Sequence, residues 1–225
     1  MRYHIDTAII KDKFQENCTC PLCQIKSVIE EQLLYEFLND AVMEDSTRAK
    51  VNKLGFCSSH FDMLFSRQNK LSLALQAQTR LNTVLSLFKT QKSFKGAKAQ
   101  SQKILDSEKT CIICELTEDS MVKYYKTVAQ LFLGEKEFRS ILLKSNGFCF
   151  THYAMLLKYS NEAGFLVKEY LDAISSVQNK ALEKLNANLK VFCDKHDYRN
   201  ASKPLGNAER ALTDTREIFY GLKKD

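Results

Sequence analysis

The chain has no tryptophan, two prolines and seven glycines in 225 residues. So few turn-forming residues cannot supply the bends of a meander of short strands, and long helices are expected instead. No run approaches the roughly 18 apolar residues of a membrane span. The opening stretch, Met1 to Asp6, lacks the apolar core of a secretory signal. These absences exclude a membrane role on this reading and lead to the expectation of a cytoplasmic protein. Phosphate loops, nucleophile elbows and a glutamate set beside metal ligands as in zinc hydrolases are also missing, so the reading leans away from an enzyme.

Among what is present, hydrophobic residues make up 44%, enough to bury a core. The formal net charge of +6 is modest. Lysines are scattered over every segment rather than gathered in a stripe, which disfavours nucleic acid as a partner. Eight cysteines remain to be explained. In a reducing compartment such thiols are more often metal ligands or catalytic groups than disulfides.

Six of them fall in a repeated pattern. Gly55-Phe56-Cys57-Ser58-Ser59-His60 returns 92 residues later as Gly147-Phe148-Cys149-Phe150-Thr151-His152. Each copy follows a Cys-x-x-Cys pair, Cys20 with Cys23 and Cys111 with Cys114. Cys23 to Arg48 and Cys114 to Arg139 are both 25 residues apart, and a one-residue insertion in a loop separates the copies thereafter. After the histidines, Phe61, Met63 and Leu64 align with Tyr153, Met155 and Leu156. The chain is read as a duplicated helical unit.

A Cys-x-x-Cys pair brings two thiolates to one ion, and Cys-x-x-His on a helical turn shares one face. Three sulfurs and an imidazole form a closed tetrahedral set, the composition of a structural zinc site. The expected ligands are Cys20, Cys23, Cys57 and His60 in one copy and Cys111, Cys114, Cys149 and His152 in the other. Each ion would then clip the start of the first helix of its copy to the start of the third. Two zinc ions per chain are expected, lowering the net charge to about +4. An iron–sulfur cluster is the alternative, because histidine replaces cysteine in some clusters. Cys18, Cys193 and His196 are possible extra ligands for a third ion, with His4 a further option. Arg48 and Arg139 occupy equivalent places, where each can support a ligand through a hydrogen bond to thiolate or carbonyl or else pair with the acidic turn nearby.

The apolar periodicity predicts an all-α fold: two homologous helical repeats, each clipped by a Cys3His site, packed about a pseudo-twofold axis. The long helices expected at about 71–90 and 165–192 would form much of that contact. The expected divisions are 1–90 for the first repeat with an N-terminal arm, 91–109 for a polar linker, 110–192 for the second repeat and 193–225 for a tail with a short helix.

Several of these motifs together resemble an uncharacterised bacterial family found mainly among Firmicutes and related anaerobes. They are Asp12-Lys13-Phe14, Cys20-Pro21-Leu22-Cys23, the Asp45 to Arg48 turn, the two Gly-Phe-Cys-x-x-His stretches, and Asp197-Tyr198-Arg199 followed by Pro204-Leu205-Gly206. Thr19 stands where an acidic residue is usual. The resemblance implies a shared fold and shared metal sites, and it supplies no activity. The function expected is a metal-binding protein with structural ions that acts through an unidentified protein partner. The alternative is an iron–sulfur or thiolate-based redox or metal-responsive protein.

Overall fold

The computed structural model describes residues 7–39, 42, 44–195, 197, 199 and 204–222. Among these the chain is all helical. The α-helices are α1 (Ala8–Gln15), α2 (Pro21–Leu38), α3 (Asp45–Leu54), α4 (Ser58–Ser66), α5 (Lys70–Leu85), α6 (Phe94–Glu108), α7 (Ile112–Gly134), α8 (Lys136–Lys144), α9 (Phe150–Lys158), α10 (Val167–Asp194) and α11 (Ala211–Tyr220). Short 3-10 turns at Ser160–Leu166 and Gly206–Arg210 lead into α10 and α11.

The chain divides into two compact units, one from Met1–Ser27 with Met121–Asp225 and the other from Val28–Ser120. This division cuts across both sequence copies. Helices α2 and α7 each begin in one unit and end in the other.

The unit holding Val28–Ser120 builds its core from Leu34, Phe37 and Leu38 of α2, Val51 of α3, Leu64 of α4, Leu73 of α5 and the Cys111-Ile112-Ile113 start of α7. Helix α3 lies against α5. In the other unit α10 is the central helix, touching α8, α9 and α11. Its inward face recurs at three and four residues through Tyr170, Ile174, Val177, Ala181 and Leu185, the period of one helical face. Phe14 of α1 packs its ring on Phe138 and Phe148, with centroids 5.4 and 6.0 Å away.

Residues 91–109, expected as a linker, carry α6. Ser93 accepts a hydrogen bond from the Gly96 amide at its N-cap. The helix buries no residue, which explains its faint periodicity. Its lysines, alanines and glutamines are good helix formers without an apolar face to reveal them.

Candidate metal centres

Each candidate centre is made from the starts of two helices. Cys20 immediately precedes α2 and Cys23 lies in its first turn, while Cys149 is the N-cap of α9 and His152 lies in its first turn. In the other unit Cys57 caps α4 with His60 three residues on, and Cys111 immediately precedes α7 with Cys114 three residues on. The two capping cysteines have nearly the same backbone, φ −71° and ψ 164° at Cys57 against φ −70° and ψ 159° at Cys149. Glycines at positive φ, 67° at Gly55 and 118° at Gly147, turn the chain into these caps. Two helix starts therefore aim free amides and positive dipole ends at each sulfur cluster.

Four donors converge in two places, Cys20 with Cys23, Cys149 and His152, and Cys57 with His60, Cys111 and Cys114; within each quartet all donor atoms lie within 4.8 Å of one another. In the first quartet His152 Nδ1 stands 3.4 Å from Cys20 Sγ, 3.3 Å from Cys23 Sγ and 3.2 Å from Cys149 Sγ. In the second, His60 Nδ1 is 3.3 Å from Cys57 Sγ, 3.4 Å from Cys111 Sγ and 3.3 Å from Cys114 Sγ. The sulfurs of Cys23 and Cys149 are 3.7 Å apart, and those of Cys57 and Cys114 are 3.9 Å apart. A tetrahedral ion with bonds of about 2.0–2.3 Å holds its donors about 3.5–3.8 Å apart. Both quartets have the size and composition to hold one such ion.

The grouping corrects the expected pairing. Cys20 and Cys23 do not join Cys57 and His60, and Cys111 and Cys114 do not join Cys149 and His152. Each quartet takes its Cys-x-x-Cys from one sequence copy and its Cys-x-x-His from the other. Helix length is the physical reason. Tyr125, 11 residues beyond Cys114 on α7, packs against the His152 ring at 5.9 Å between centroids. At about 1.5 Å per residue those 11 residues span roughly 16 Å, too far for His152 to reach Cys114 as well. On α2 it is Phe37, 14 residues beyond Cys23, that meets Phe56 edge-on at 5.7 Å.

Buried thiols packed this closely cannot all ionise. In the first quartet, hydrogen bonds from the Cys20 and Cys23 thiols, with help from His152, hold the Cys149 thiol far below its usual range. Cys20 is pushed well up, chiefly by burial. Cys23 is pushed up to about 12, chiefly by its bond to Cys149. In the second quartet burial raises Cys111, but hydrogen bonds from His60 and from the Cys114 and Cys57 amides outweigh it and bring the thiol down to about 6. Cys114 goes up to about 12 through burial and the neighbouring Cys111 charge.

Residues outside the motifs complete the surroundings. Glu30 of α2 is buried, and its Oε1 lies 3.6 Å from His60 Nε2, the ring nitrogen facing away from the sulfurs. A carboxylate behind a ligating imidazole fixes its tautomer and raises its basicity. It sits behind the ring rather than at an open coordination position, so it does not reproduce the arrangement of a zinc hydrolase. The Gln178 amide brackets Phe148, accepting from its N–H at 3.0 Å and donating to its carbonyl at 3.1 Å. Arg80 donates to the Asn52 and Lys53 carbonyls at 2.7 and 2.8 Å and to Ser107 at 3.2 Å, steadying the chain around Gly55. The Ile112 amide donates to the Gly55 carbonyl at 3.0 Å. Cys23 accepts a hydrogen bond from the Leu222 backbone amide.

Among the described residues, the remaining candidates join neither quartet. Cys18 is half-buried, with its thiol 3.9 Å from the Lys13 carbonyl. Cys193 is exposed in the last turn of α10. His4, His196 and Tyr198 lie outside the described residues. Arg48 pairs with Asp45 beside it. Arg139 donates to the Phe132 and Leu133 carbonyls at 2.7 and 3.0 Å near the end of α7. The two arginines, equivalent in sequence, thus do different things.

The family of unknown function designated DUF6062 matches residues 1–224. The chain belongs to that family. A relative in Caldicellulosiruptor sp. (strain Rt8B.4), described as an uncharacterized 23.9 kDa protein in the xynA 3' region, is 23% identical over 189 residues, 84% of this chain and 87% of the relative. No solved structure matches significantly. Among the described residues no helix is long and apolar enough to cross a membrane.

Proposed function

We propose that this DUF6062 protein is a zinc protein whose two ions, one in each quartet, are structural and which acts through a protein partner in the reducing cytoplasm. One observation carries the reading: in both quartets the histidine Nδ1 is 3.2–3.4 Å from three sulfurs. That spacing suits a single ion with three thiolates and one imidazole, a set that leaves no coordination position open for a substrate. A four-iron cluster needs its terminal sulfurs roughly 6 Å apart, and these donors all lie within 4.8 Å of one another. Exposed Leu71, Leu75, Leu81 and Leu85 on α5, followed by exposed Phe88, support a role in binding another protein.

Anaerobic purification followed by elemental analysis tests this. Two zinc ions per chain and a colourless solution are expected. Cobalt substitution should add the visible bands of a tetrahedral thiolate site. A brown protein absorbing near about 400 nm and rich in iron would overturn the reading.

A further inference from the structure

The two quartets share a construction but differ in shielding. Cys20, Cys23, Cys149 and His152 are 2%, 5%, 2% and 4% exposed. Their cover comes from the chain that follows α10. Phe219 of α11 stacks on Phe150 of α9 at 4.9 Å. The Leu222 amide bonds Cys23, and Gly221 is so close that a Cβ on it would stand 3.4 Å from Cys23 Sγ. In the second quartet Cys114, which occupies the same place in its copy as Cys23, is exposed, and Cys57 is half-buried. Its other members, His60 and Cys111, are buried. Glu30, seven residues after Cys23, adds a buried carboxylate behind His60, whereas the second copy's equivalent position, seven residues after Cys114, is the apolar Met121. An ion held by three thiolates already leaves its site with about one net negative charge. The carboxylate behind His60 raises the basicity of that imidazole and so keeps it on the ion while a sulfur is exchanged.

We propose that the second quartet, Cys57, His60, Cys111 and Cys114, is an exchangeable zinc site that passes its ion through Cys114 to a thiol-bearing acceptor, while the first quartet holds its ion permanently. The proposal rests on the zinc reading above and adds exchange to the structural role of the second ion. The step is ligand exchange without oxidation or reduction. The acceptor's sulfur forms a bond to zinc, which expands to five-coordinate. The bond from zinc to Cys114 Sγ then breaks, and the proton lost by the incoming thiol is taken up by the Cys114 thiolate. Cys114, the exposed member of the quartet, provides the direction of approach.

The zinc-loaded full chain, with two zinc ions per chain first established by mass spectrometry, is mixed with glutathione and a chromophoric zinc chelator. Fewer than two ions at that first step refutes the zinc reading itself, before exchange is measured. Release is expected in two phases of one ion each, differing in rate by about tenfold or more. Brief alkylation with N-ethylmaleimide followed by peptide mapping should modify Cys114 well before Cys20, Cys23 or Cys149, with exposed Cys193 as the reference for a free thiol. Cys114→Ser should abolish the fast phase and keep the slow one. A single release rate for both ions, alkylation of the first quartet in step with Cys114, or survival of the fast phase in Cys114→Ser would each overturn the proposal. The wild-type kinetics and mapping decide it even if the variant folds poorly.

Discussion

Replacing Cys23 and Cys149 together by serine removes two donors from one quartet and none from the other. Replacing Cys23 and Cys57 removes one donor from each. Structural zinc in small domains contributes roughly 10–16 kcal/mol, so one donor of four accounts for about 3 kcal/mol, or roughly two orders of magnitude in affinity. Two donors lost from a single site then cost about four orders, and that ion is gone under any practical condition. The assay is zinc per chain after dialysis against a chelator strong enough to strip a three-donor site but not a four-donor site. Cys23→Ser/Cys149→Ser should retain one zinc, and Cys23→Ser/Cys57→Ser should retain none. Pairing within each sequence copy predicts the reverse, because Cys23 and Cys57 would then share an ion. One zinc left in the Cys23/Cys57 variant and none in the Cys23/Cys149 variant would refute the crossed arrangement.

Other expectations follow from the same geometry. Gly147→Ala should destabilise the protein by about 2–4 kcal/mol in chemical denaturation, because a Cβ there would lie 2.5 Å from the Ala181 Cβ at φ +118°; Gly206→Ala, at φ +53° with no atom within 4 Å, should cost about 1 kcal/mol or less. Glu30→Gln should weaken zinc binding about 10–100-fold at the second quartet, read by competition with a chelator, and leave the first unchanged. Zinc uptake by the metal-free chain at pH 7 should release about two protons from the first quartet, since Cys20 and Cys23 are held protonated while Cys149 is not. Affinity there should rise with pH, because binding expels protons; calorimetry in buffers of different ionisation enthalpy would show it, and a pH-independent affinity would contradict it.

The helices could be read from the sequence because their apolar residues recur at the helical period, as in Tyr170, Ile174, Val177, Ala181 and Leu185 of α10. Helix α6 could not be read this way, since it buries nothing. The donors were legible for a related reason: Cys-x-x-Cys and Cys-x-x-His place their side chains on one turn whatever the rest of the chain does. Their grouping was not, because spacing carries no information about where a long helix ends. The contacts of Phe37 with Phe56 and of Tyr125 with His152 show which part of each helix the returning chain meets. Glu30 did leave a signal. It lies seven residues after Cys23, on the face shared with Leu34 and Phe37, where a solvated glutamate would be out of place. The hydrogen bond to Cys23 left none, because the Leu222 backbone amide donates it.

The crossed grouping changes what the recurrence of the two motifs does. A single sequence copy contains three cysteines and a histidine, the full donor set for one ion, yet its own helix holds the two pairs apart. Two copies resolve this, since the pair at the start of one copy's first helix meets the Cys-x-x-His of the other. The same exchange of partners is made at each quartet. The C-terminal helix that follows the second copy shields Cys23, while the first copy is followed by α6, which buries no side chain. Glu30 and Met121 occupy equivalent positions with opposite polarity. Two sites of the same ligand composition thus acquire different exposure and different charge. That is the condition for one ion to stay in place while the other is exchanged.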